Sequence, residues 1–305
     1  MDIYNDLVSI IIPTHNRADL IQDTLISVIN QSYSKIELIV VNDHSIDNTD
    51  TVVNDFINSH PEKMIIYIKS AKTGGCAARN LGLSVSKGDY IQFFDDDDIM
   101  CEDYIKNRLE FMKQDDFDYV ACNYSCFDSN TGKVVVNMDV CSIDHTIESH
   151  IYNSALTTQL FLMSRRCVDK IGFWNEDIKR CQDMAFFHRL FLYKCKGCWI
   201  DQELFSLRIH PNRITNNSVS GLENCFVALE SIKKEWKNEK RLSLNNILTY
   251  IQLHLIKLIS SKKKLIALKI ASRLFILHLT DLLRLAIIWK KHKTSKLSYN
   301  QLVVE

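Results

Sequence analysis

Residues 90–98 read Tyr-Ile-Gln-Phe-Phe-Asp-Asp-Asp-Asp, an apolar run that ends in four consecutive carboxylates. Tyr90–Phe94 has the length and composition of a buried β-strand. Four like charges at the end of such a strand cost several kcal/mol to isolate unless a counter-charge neutralises them. Oxygen ligands of this kind suit Mg²⁺ or Mn²⁺, which bind carboxylates together with phosphates. The run therefore predicts a divalent metal ion and a phosphorylated ligand, and the alternative is an acidic loop capping a helix that begins near Glu102.

Strands and helices alternate regularly in the chain before this run. Strands are predicted over Leu7–Pro13, Ile36–Val41 and Met64–Ile68, and helices around 20–28, over Thr49–Ser59 and over Ala77–Ser86. Apolar strands without polar alternation, separated by helices, indicate a parallel sheet that is covered on both faces. We therefore expect an α/β fold with a Rossmann-like, mostly parallel central sheet flanked by helices.

Polar clusters follow three of these strands, namely Thr14–Arg17, Asn42–Ser45 and Asp95–Asp98. Right-handed crossovers place the carboxyl ends of parallel strands along one edge of the sheet. Open α/β sheets bind their ligands just outside that edge. We expect the three clusters to converge on one site.

The pattern changes beyond Asp118, where the sequence predicts a mixed sheet. Strands are expected over Tyr119–Phe127 and Lys133–Met138, with a short strand over Cys198–Ile200. A helix is expected over Asp183–Lys194, between the last two of these strands.

A formal net charge of zero conceals two halves of opposite sign. Residues 1–221 contain 21 Lys and Arg against 31 Asp and Glu, whereas residues 222–305 contain 16 against 6. The acidic half suits a bound metal ion, and the basic half suits an anionic surface.

Residues 261–291 carry a wide apolar face interrupted by a narrow basic one. This pattern predicts an amphipathic helix at a membrane surface rather than a spanning helix. The alternative is a helix that packs on the catalytic core or on a partner subunit. The apolar face and the acidic N-terminal half argue against nucleic-acid binding.

Six ordered motifs within about residues 7–215 resemble those of the family 2 glycosyltransferases, inverting enzymes of the GT-A fold. The motifs are Val8–Arg17, Val41–Thr49, Gly74–Asn80, the DxD-type run Asp95–Asp98, Cys181–Asp183 and Arg208–Pro211. The second motif departs from the family pattern, because Asn42 replaces its first Asp and His44 replaces its usual Gly.

The resemblance implies a GT-A domain over residues 1–221, and the charge and helical patterning predict a basic, amphipathic helical extension over 222–305. Within the domain, the nucleotide-binding half is expected at about 7–128 and the acceptor half at about 129–221.

The resemblance also implies the residues of the site. Nucleotide-sugar binding is assigned to Pro13, Thr14, Asn16, Arg17, Asp43, Arg79, Asp95 and Asp96. A Mn²⁺ or Mg²⁺ ion is assigned to Asp97, with Asp95 and His210 as further ligands. Asp183 is the implied base that takes the proton of the acceptor hydroxyl.

Four of these residues have structural alternatives. Asp43 could be a turn-forming residue, and Arg79 could lie on a helix surface. Asp183 could be the N-cap of its helix. His210 could be a packed or capping residue.

Four carboxylates leave further alternatives open. Glu176 and Asp177 are other candidates for the base. Strand alternation would point Asp96 away from its two neighbours if the strand persisted that far. Asp98 could support the metal ligands or cap the next helix.

The function implied by the resemblance is transfer of a hexose or N-acetylhexosamine from a nucleotide-sugar, with UDP as the expected carrier. The implied acceptor is a glycan hydroxyl, carried on polyprenyl diphosphate during bacterial surface polysaccharide biosynthesis such as O-antigen assembly. We expect a cytoplasmic protein that is peripheral on the inner face of the membrane. The alternatives are a metal-dependent nucleotidyl or phosphoryl transferase, or an inactive protein that binds nucleotide-sugars or membrane surfaces.

Overall fold

The computed structural model describes residues 5–142 and 156–210, together with 228, 231, 232, 234 and 235. The first two ranges belong to one compact unit. Apart from those five positions, the extension expected over 222–305, with its amphipathic helix around 261–291, lies outside the described residues. Within the described residues, no helix is both long and apolar enough to span a bilayer.

One mixed sheet contains all the strands of the described residues. They are Val8–Thr14 (β1), Ile36–Asn42 (β2), Met64–Lys69 (β3), Tyr90–Phe93 (β4), Ile99–Met100 (β5), Tyr119–Asp128 (β6), Val134–Met138 (β7), Phe161–Ser164 (β8) and Gly197–Ile209 (β9). The strand order is β3-β2-β1-β4-β8-β6-β9-β5, and β7 pairs with β6 beside this path.

The first four strands of this order pair in parallel, as the sequence predicts. Beyond Asp118 the sheet becomes mixed, because β8 runs antiparallel to both β4 and β6, whereas β9 runs parallel to β6. Both expectations about the sheet are confirmed.

The described helices are Ile21–Ile29 (α1), Thr49–Ser59 (α2), Gly75–Val85 (α3), Tyr104–Gln114 (α4), Arg165–Ile171 (α5) and Gln182–Leu192 (α6). Asp103 occupies the N-cap position of α4, and β5 separates this helix from the acidic run. The acidic run therefore does not cap a helix near Glu102, and that alternative is wrong.

The short strand expected over Cys198–Ile200 is wrong in length, because β9 has 13 residues. Its polar stretch Asp201–Glu203 looks like a strand end in the sequence. In the structure the register between β6 and β9 shifts on both sides of Asn123, opposite this stretch. The side-chain amide of Asn123 donates to Asp201 at 2.8 Å. A bulge of this kind bends a strand without ending it, so β9 continues to the edge of the sheet where β6 ends.

An aromatic cluster fixes α6 against the end of β4. The rings of Trp174 and Phe186 stack with centroids 4.1 Å apart and planes within 1°. Phe93 meets both rings edge-on, at 5.2 and 5.7 Å. Stacked and edge-to-face aromatic pairs add to the stability that burial provides. The start of α6 is thereby placed beside the residues that follow β4.

Candidate active site

The three polar clusters converge, as the sequence predicts. The amide of Asp43 donates to the carbonyl of Thr14 at 2.8 Å, where β1 and β2 end side by side. The amide of Asn16 donates to the hydroxyl of Ser45 at 2.9 Å, and the amide of Ile46 donates to the side-chain oxygen of Asn16 at 2.8 Å. Since Pro13 and Thr14 form the last two residues of β1, this pair of interlocked loops continues directly from the sheet.

His15 ties the same two loops together and has a defined tautomer. Its Nδ1 contacts the carbonyl oxygen of Asp43, and its Nε2 lies 3.0 Å from the side-chain nitrogen of Asn16. A carbonyl can only accept and an amide nitrogen can only donate. Nδ1 therefore carries the proton, and Nε2 accepts from Asn16.

Asp43 presents its carboxylate at the mouth of this pair of loops. Both carboxylate oxygens accept from the amide of Gly74 at 2.9 Å, and Nδ1 of His44 lies 3.4 Å from Oδ1. The turn-forming role belongs instead to Asn42, whose Oδ1 accepts from the amide of Ser45 at 2.8 Å. The turn-forming alternative for Asp43 is therefore wrong.

The outer members of the acidic run are paired with side chains from distant elements. Oδ1 of Asp95 accepts from Nη2 of Arg79 at 2.7 Å, and Oδ2 accepts from Nε2 of Gln159 at 3.0 Å. Asp98 accepts from the amide of Arg208 at 2.8 Å and also from Gln159. Asp98 therefore holds β9 in place and does not cap a helix.

The inner members of the run share one arginine. Nε of Arg17 lies 3.4 Å from Oδ1 of Asp96, and its Nη2 lies 3.6 Å from Oδ2 of Asp97. The strand ends at Phe93, and the chain turns at 96–97. Strand alternation therefore does not extend to Asp96, and the expectation that its side chain points away from that of Asp97 is wrong.

The pKa of Asp96 is raised to about 7, mainly by burial and also by the neighbouring charge of Asp97, while Arg17 opposes the shift. Asp96 is therefore protonated more readily than an exposed aspartate. Arginines supply counter-charges to this run in the protein itself, in addition to any charge that a divalent cation would bring.

Asp97 and His210 are the two predicted ligands that the structure brings together. Nε2 of His210 lies 3.0 Å from Oδ2 of Asp97, and both residues are buried. Both oxygens of Asp95 are instead engaged by protein donors. In ranges 5–142 and 156–210, no three acidic, His or Cys side chains are grouped to hold a metal ion. The pair fits an ion that takes its other ligands from substrate phosphates and water, as Mg²⁺ and Mn²⁺ commonly do.

Arg79 is buried, with 7% of its surface exposed, so the alternative of a surface helix residue is wrong. Besides Asp95, its guanidinium contacts Oε1 of Gln182 at 3.0 Å and lies 4.8 Å from the centroid of the Trp174 ring. Arg79 thus joins the end of β4 to the start of α6.

Asp183 lies in the first turn of α6, where Cys181 occupies the N-cap position, so the capping alternative is wrong. The pKa of Asp183 is raised to about 6. Burial is the main cause and the charge of Asp95 adds to it, while the hydrogen bond from the amide of Met184 and the charge of Arg79 lower the pKa. A carboxylate of this kind suits proton abstraction near neutral pH.

The alternative bases have different surroundings. Glu176 pairs with Lys72 at 2.8 Å and accepts from Asn80 at 3.1 Å, and these contacts lower the pKa of its carboxyl. Asp177 is exposed to solvent. Glu176 is thus engaged by Lys72 and Asn80, whereas the pKa of Asp183 is raised.

Sequence reasoning missed two residues of the site. Gln159 lies just before β8 and bridges Asp95 and Asp98, and no sequence signal marks it among the residues around it. Arg208 belongs to the closing motif without a predicted role, yet its Nε donates to the carbonyl of Asp97 at 2.8 Å and its Nη2 to Asp23 at 2.8 Å. Its position in the closing motif was the signal that could have identified it.

Residues 9–171 match the sequence model of the family described as Glycosyl transferase family 2. The chain belongs to this family. It is therefore a glycosyltransferase, in agreement with the resemblance seen in its motifs.

Relatives in several bacteria resemble this glycosyltransferase. It is 27% identical to glycosyltransferase GlyG of Streptococcus pneumoniae over 67% of this chain and 71% of that protein. It is 27% identical to the putative teichuronic acid biosynthesis glycosyltransferase TuaG of Bacillus subtilis over 76% of this chain and 90% of that protein. The chain is also 39% identical to WfaP of Escherichia coli, named a UDP-Glc:alpha-D-GlcNAc-diphosphoundecaprenol beta-1,3-glucosyltransferase. That match covers 39% of this chain and 46% of WfaP.

Solved structures share the fold of this glycosyltransferase. S. aureus TarS 1–349 in complex with UDP-GlcNAc superposes with a TM-score of 0.62 at 17% identity, over 89% of this chain and 93% of that one. The mannosyltransferase PcManGT of Pyrobaculum calidifontis, in complex with GDP-Man and Mn²⁺, gives a TM-score of 0.62 at 16% identity, over 96% and 82%. The fold is GT-A, as expected from the sequence.

Proposed function

We propose that this glycosyltransferase moves a hexose or N-acetylhexosamine from a UDP-sugar to a glycan hydroxyl in bacterial surface polysaccharide biosynthesis. One observation carries the proposal. A half-buried carboxylate with a raised pKa, Asp183, lies at the start of α6, which Arg79 joins to Asp95 at the edge of the sheet that also holds Asp43, Asp97 and His210. A base beside a candidate nucleotide-diphosphate site is the arrangement that inverting glycosyl transfer needs.

Asp43 is the proposed contact to the nucleobase. Its carboxylate can accept the ring N–H that uracil and thymine possess and cytosine lacks. Gly74 already donates to both oxygens, which orients the carboxylate before the ligand arrives. The names of WfaP and of the TarS complex, which mention UDP-sugars, support UDP as the carrier here.

Asp97 and His210 are proposed to hold the divalent cation, with Asp95 near the ribose and the sugar. When bound, Mn²⁺ or Mg²⁺ offsets the charge that develops on the departing nucleoside diphosphate. The Mn²⁺ complex of PcManGT supports the choice of ion. Pro13, Thr14, Asn16 and Arg17 are proposed to surround the nucleotide from the β1 side of the site.

Asp183 is the proposed base. It takes the proton of the acceptor hydroxyl while the oxygen attacks the anomeric carbon from the face opposite the diphosphate. Arg79 and Gln182 hold the start of α6 against Asp95, so the base is held at a defined place before the acceptor binds.

The acceptor is proposed to be a glycan on polyprenyl diphosphate at the inner membrane face, with the protein peripheral on that membrane. The excess of basic residues in 222–305 and the name of WfaP support this part of the proposal. Flotation with anionic vesicles tests it, because electrostatic attachment should weaken as salt is raised. Equal flotation with neutral vesicles would contradict it.

The decisive experiment incubates UDP-, dTDP- and GDP-sugars with the protein and Mn²⁺ and measures release of the nucleoside diphosphate. We expect release from UDP-sugars, and its loss on chelation of the metal. A nucleotidyl transferase would instead transfer the nucleoside monophosphate, and an inactive binding protein would bind UDP without release. Asp97→Ala should abolish release, so a near-normal rate in that variant would refute the metal assignment.

A further inference from the structure

Arg17 is the loosest of the arginines that face the acidic run. Its two contacts, at 3.4 Å to Asp96 and 3.6 Å to Asp97, exceed the usual N–H···O distance of about 2.9 Å. Arg79 and Arg208, in contrast, hold their carboxylate partners Asp95 and Asp23 at 2.7 and 2.8 Å. The side chain of Arg17 is also more exposed, at 17% against 9% for each of the other two.

The backbone of Arg17 is nevertheless fixed. Its amide donates to the hydroxyl of Thr49 at 2.9 Å, and its carbonyl accepts from the amides of Leu20 and Ile21 at the start of α1. The residue therefore has a fixed backbone and a long side chain whose head is held by weak contacts. Such a guanidinium can change partners without any movement of the loop.

Two side chains approach the same oxygen of Asp97. Nε2 of His210 lies 3.0 Å from Oδ2, and Nη2 of Arg17 approaches the same atom at 3.6 Å. A cation bound by this oxygen and by His210 would therefore lie close to the positive guanidinium of Arg17. Two positive charges that close repel strongly in a site this buried.

We propose that Arg17 is the built-in counter-ion of Asp96 and Asp97, which a divalent cation displaces, and that the released guanidinium then binds the diphosphate of the donor. This inference rests on the proposed function. Before the metal binds, Arg17 stabilises the acidic pair. Afterwards, its planar fork of donors matches phosphate oxygens. Metal binding and donor binding are thereby coupled through a single side chain.

The two roles predict effects of opposite sign in Arg17→Gln. Mn²⁺ alone should bind about threefold to tenfold more tightly, because no ion pair has to be broken. UDP at saturating Mn²⁺ should bind about tenfold more weakly or worse, because a charge-assisted hydrogen bond to phosphate is lost. Titration calorimetry with Mn²⁺, and then with UDP in excess Mn²⁺, measures both constants.

Arg166→Gln is the matched control. Arg166 pairs with Asp116 and Asp118 at the amino end of β6, at the opposite edge of the sheet. Its loss removes one arginine charge and should change neither constant. Arg17→Lys keeps the charge without the fork and should restore Mn²⁺ affinity toward wild type while leaving UDP binding weakened.

The outcomes separate this inference from the proposed function. If the wild type binds neither Mn²⁺ nor UDP, both fail. If the wild type binds both, the inference alone is overturned by unchanged Mn²⁺ affinity in Arg17→Gln, or by equal weakening of both ligands. Thermal melts without ligand check that each variant folds. Should Arg17→Gln not fold, Arg17→Lys tests the phosphate role alone, and unchanged UDP affinity in that variant would overturn the inference.

Discussion

Asp183 and Asp96 are both carboxyl groups whose pKa is raised by burial, but their neighbours differ. Asp96 lies beside Asp97 and Arg17, and the charges of both affect its pKa directly. The pKa of Asp183 is affected by the charges of Asp95 and Arg79. Its carboxylate accepts a hydrogen bond from the amide of Met184 at 2.8 Å. Of the two carboxylates, Asp183 is therefore the one that can accept a proton from the hydroxyl of the sugar acceptor.

The pH dependence of transfer follows from the pKa of Asp183, which is about 6. A base works only when deprotonated, so the turnover number should be level above that pH and fall about tenfold per pH unit below it. Measurements at saturating donor, acceptor and Mn²⁺ keep the titration of Asp96 from contributing. A rate that stays constant down to pH 4.5 would contradict the assignment.

Asp183→Asn should lose transfer by about a thousandfold or more while it retains UDP affinity within about threefold. The variant should unfold at no lower temperature, because it removes a carboxylate whose charge is disfavoured by burial. Initial rates, UDP titrations and thermal melts measure the three quantities.

Glu176→Gln is the control for that variant. It disturbs an exposed ion pair with Lys72, which contributes little to stability because solvent screens it. Transfer should stay near the wild-type rate. Loss of transfer in Glu176→Gln, with activity retained in Asp183→Asn, would reverse the assignment of the base.

At the scale of elements, one polar network joins β2, β3 and α2 beneath the loop that presents Asp43. The side-chain nitrogen of Asn42 donates to Asp50 at 2.6 Å and to the hydroxyl of Tyr67 at 2.9 Å. Asp50 also accepts from Tyr67 and Lys69, and these contacts lower the pKa of its carboxyl. The network explains why this chain has Asn where the family motif usually has Asp.

Asn42→Asp should destabilise the protein by about 2 kcal/mol, because it places a second carboxylate against Asp50 and removes a donor. Asp50→Asn in the same chain should recover part of this loss by restoring a donor–acceptor pair. Chemical denaturation of the two single variants and the double variant measures the coupling free energy. Additive losses would show that the two side chains do not interact.

Element boundaries were well predicted where the chain is apolar and local signals are strong. Thr49–Ser59 is helical with the expected bounds, and Val8–Thr14 is displaced by one residue from its prediction. The errors fall where pairing overrides local sequence. β9 crosses a polar stretch through a bulge, and β8 is four residues long and recognisable only from the two strands on either side of it.

At the scale of the whole molecule, the two edges of the sheet handle buried charge differently. At the carboxyl edge, arginines and His210 face the acidic run. At the amino edge, the buried carboxylate of Glu37 accepts from the hydroxyl of Ser9 and from the amides of Lys87 and Gly88. Neutral donors thus hold one oxygen of Glu37 at the amino edge, whereas charged arginine side chains face the carboxylates at the carboxyl edge.

Gly88→Ala should destabilise this corner by about 3 kcal/mol or more, because a Cβ there would lie 2.5 Å from the amide nitrogen of Ser9 and 2.9 Å from the carbonyl of Leu7. Backbone atoms of a central strand cannot move aside. Gly132→Ala is the control, since a Cβ at that position meets nothing within 4 Å. Its positive φ of 67° should cost about 1 kcal/mol. Equal melting temperatures of the two variants would contradict the steric account.

The sequence by itself determined the succession of strands and helices along the chain, the motifs and, through the motifs, the family. Runs of apolar residues, turn residues and short motifs are local properties of the chain. Tertiary structure alone decided which basic or imidazole side chain faces which carboxylate. Arg17 meets Asp96 across 79 positions, and His210 meets Asp97 across 113. Contacts over such separations depend on the order of strands in the sheet and on a bulge in β9. Burial, which raises the pKa of Asp183, exists only once α6 has packed against the end of β4.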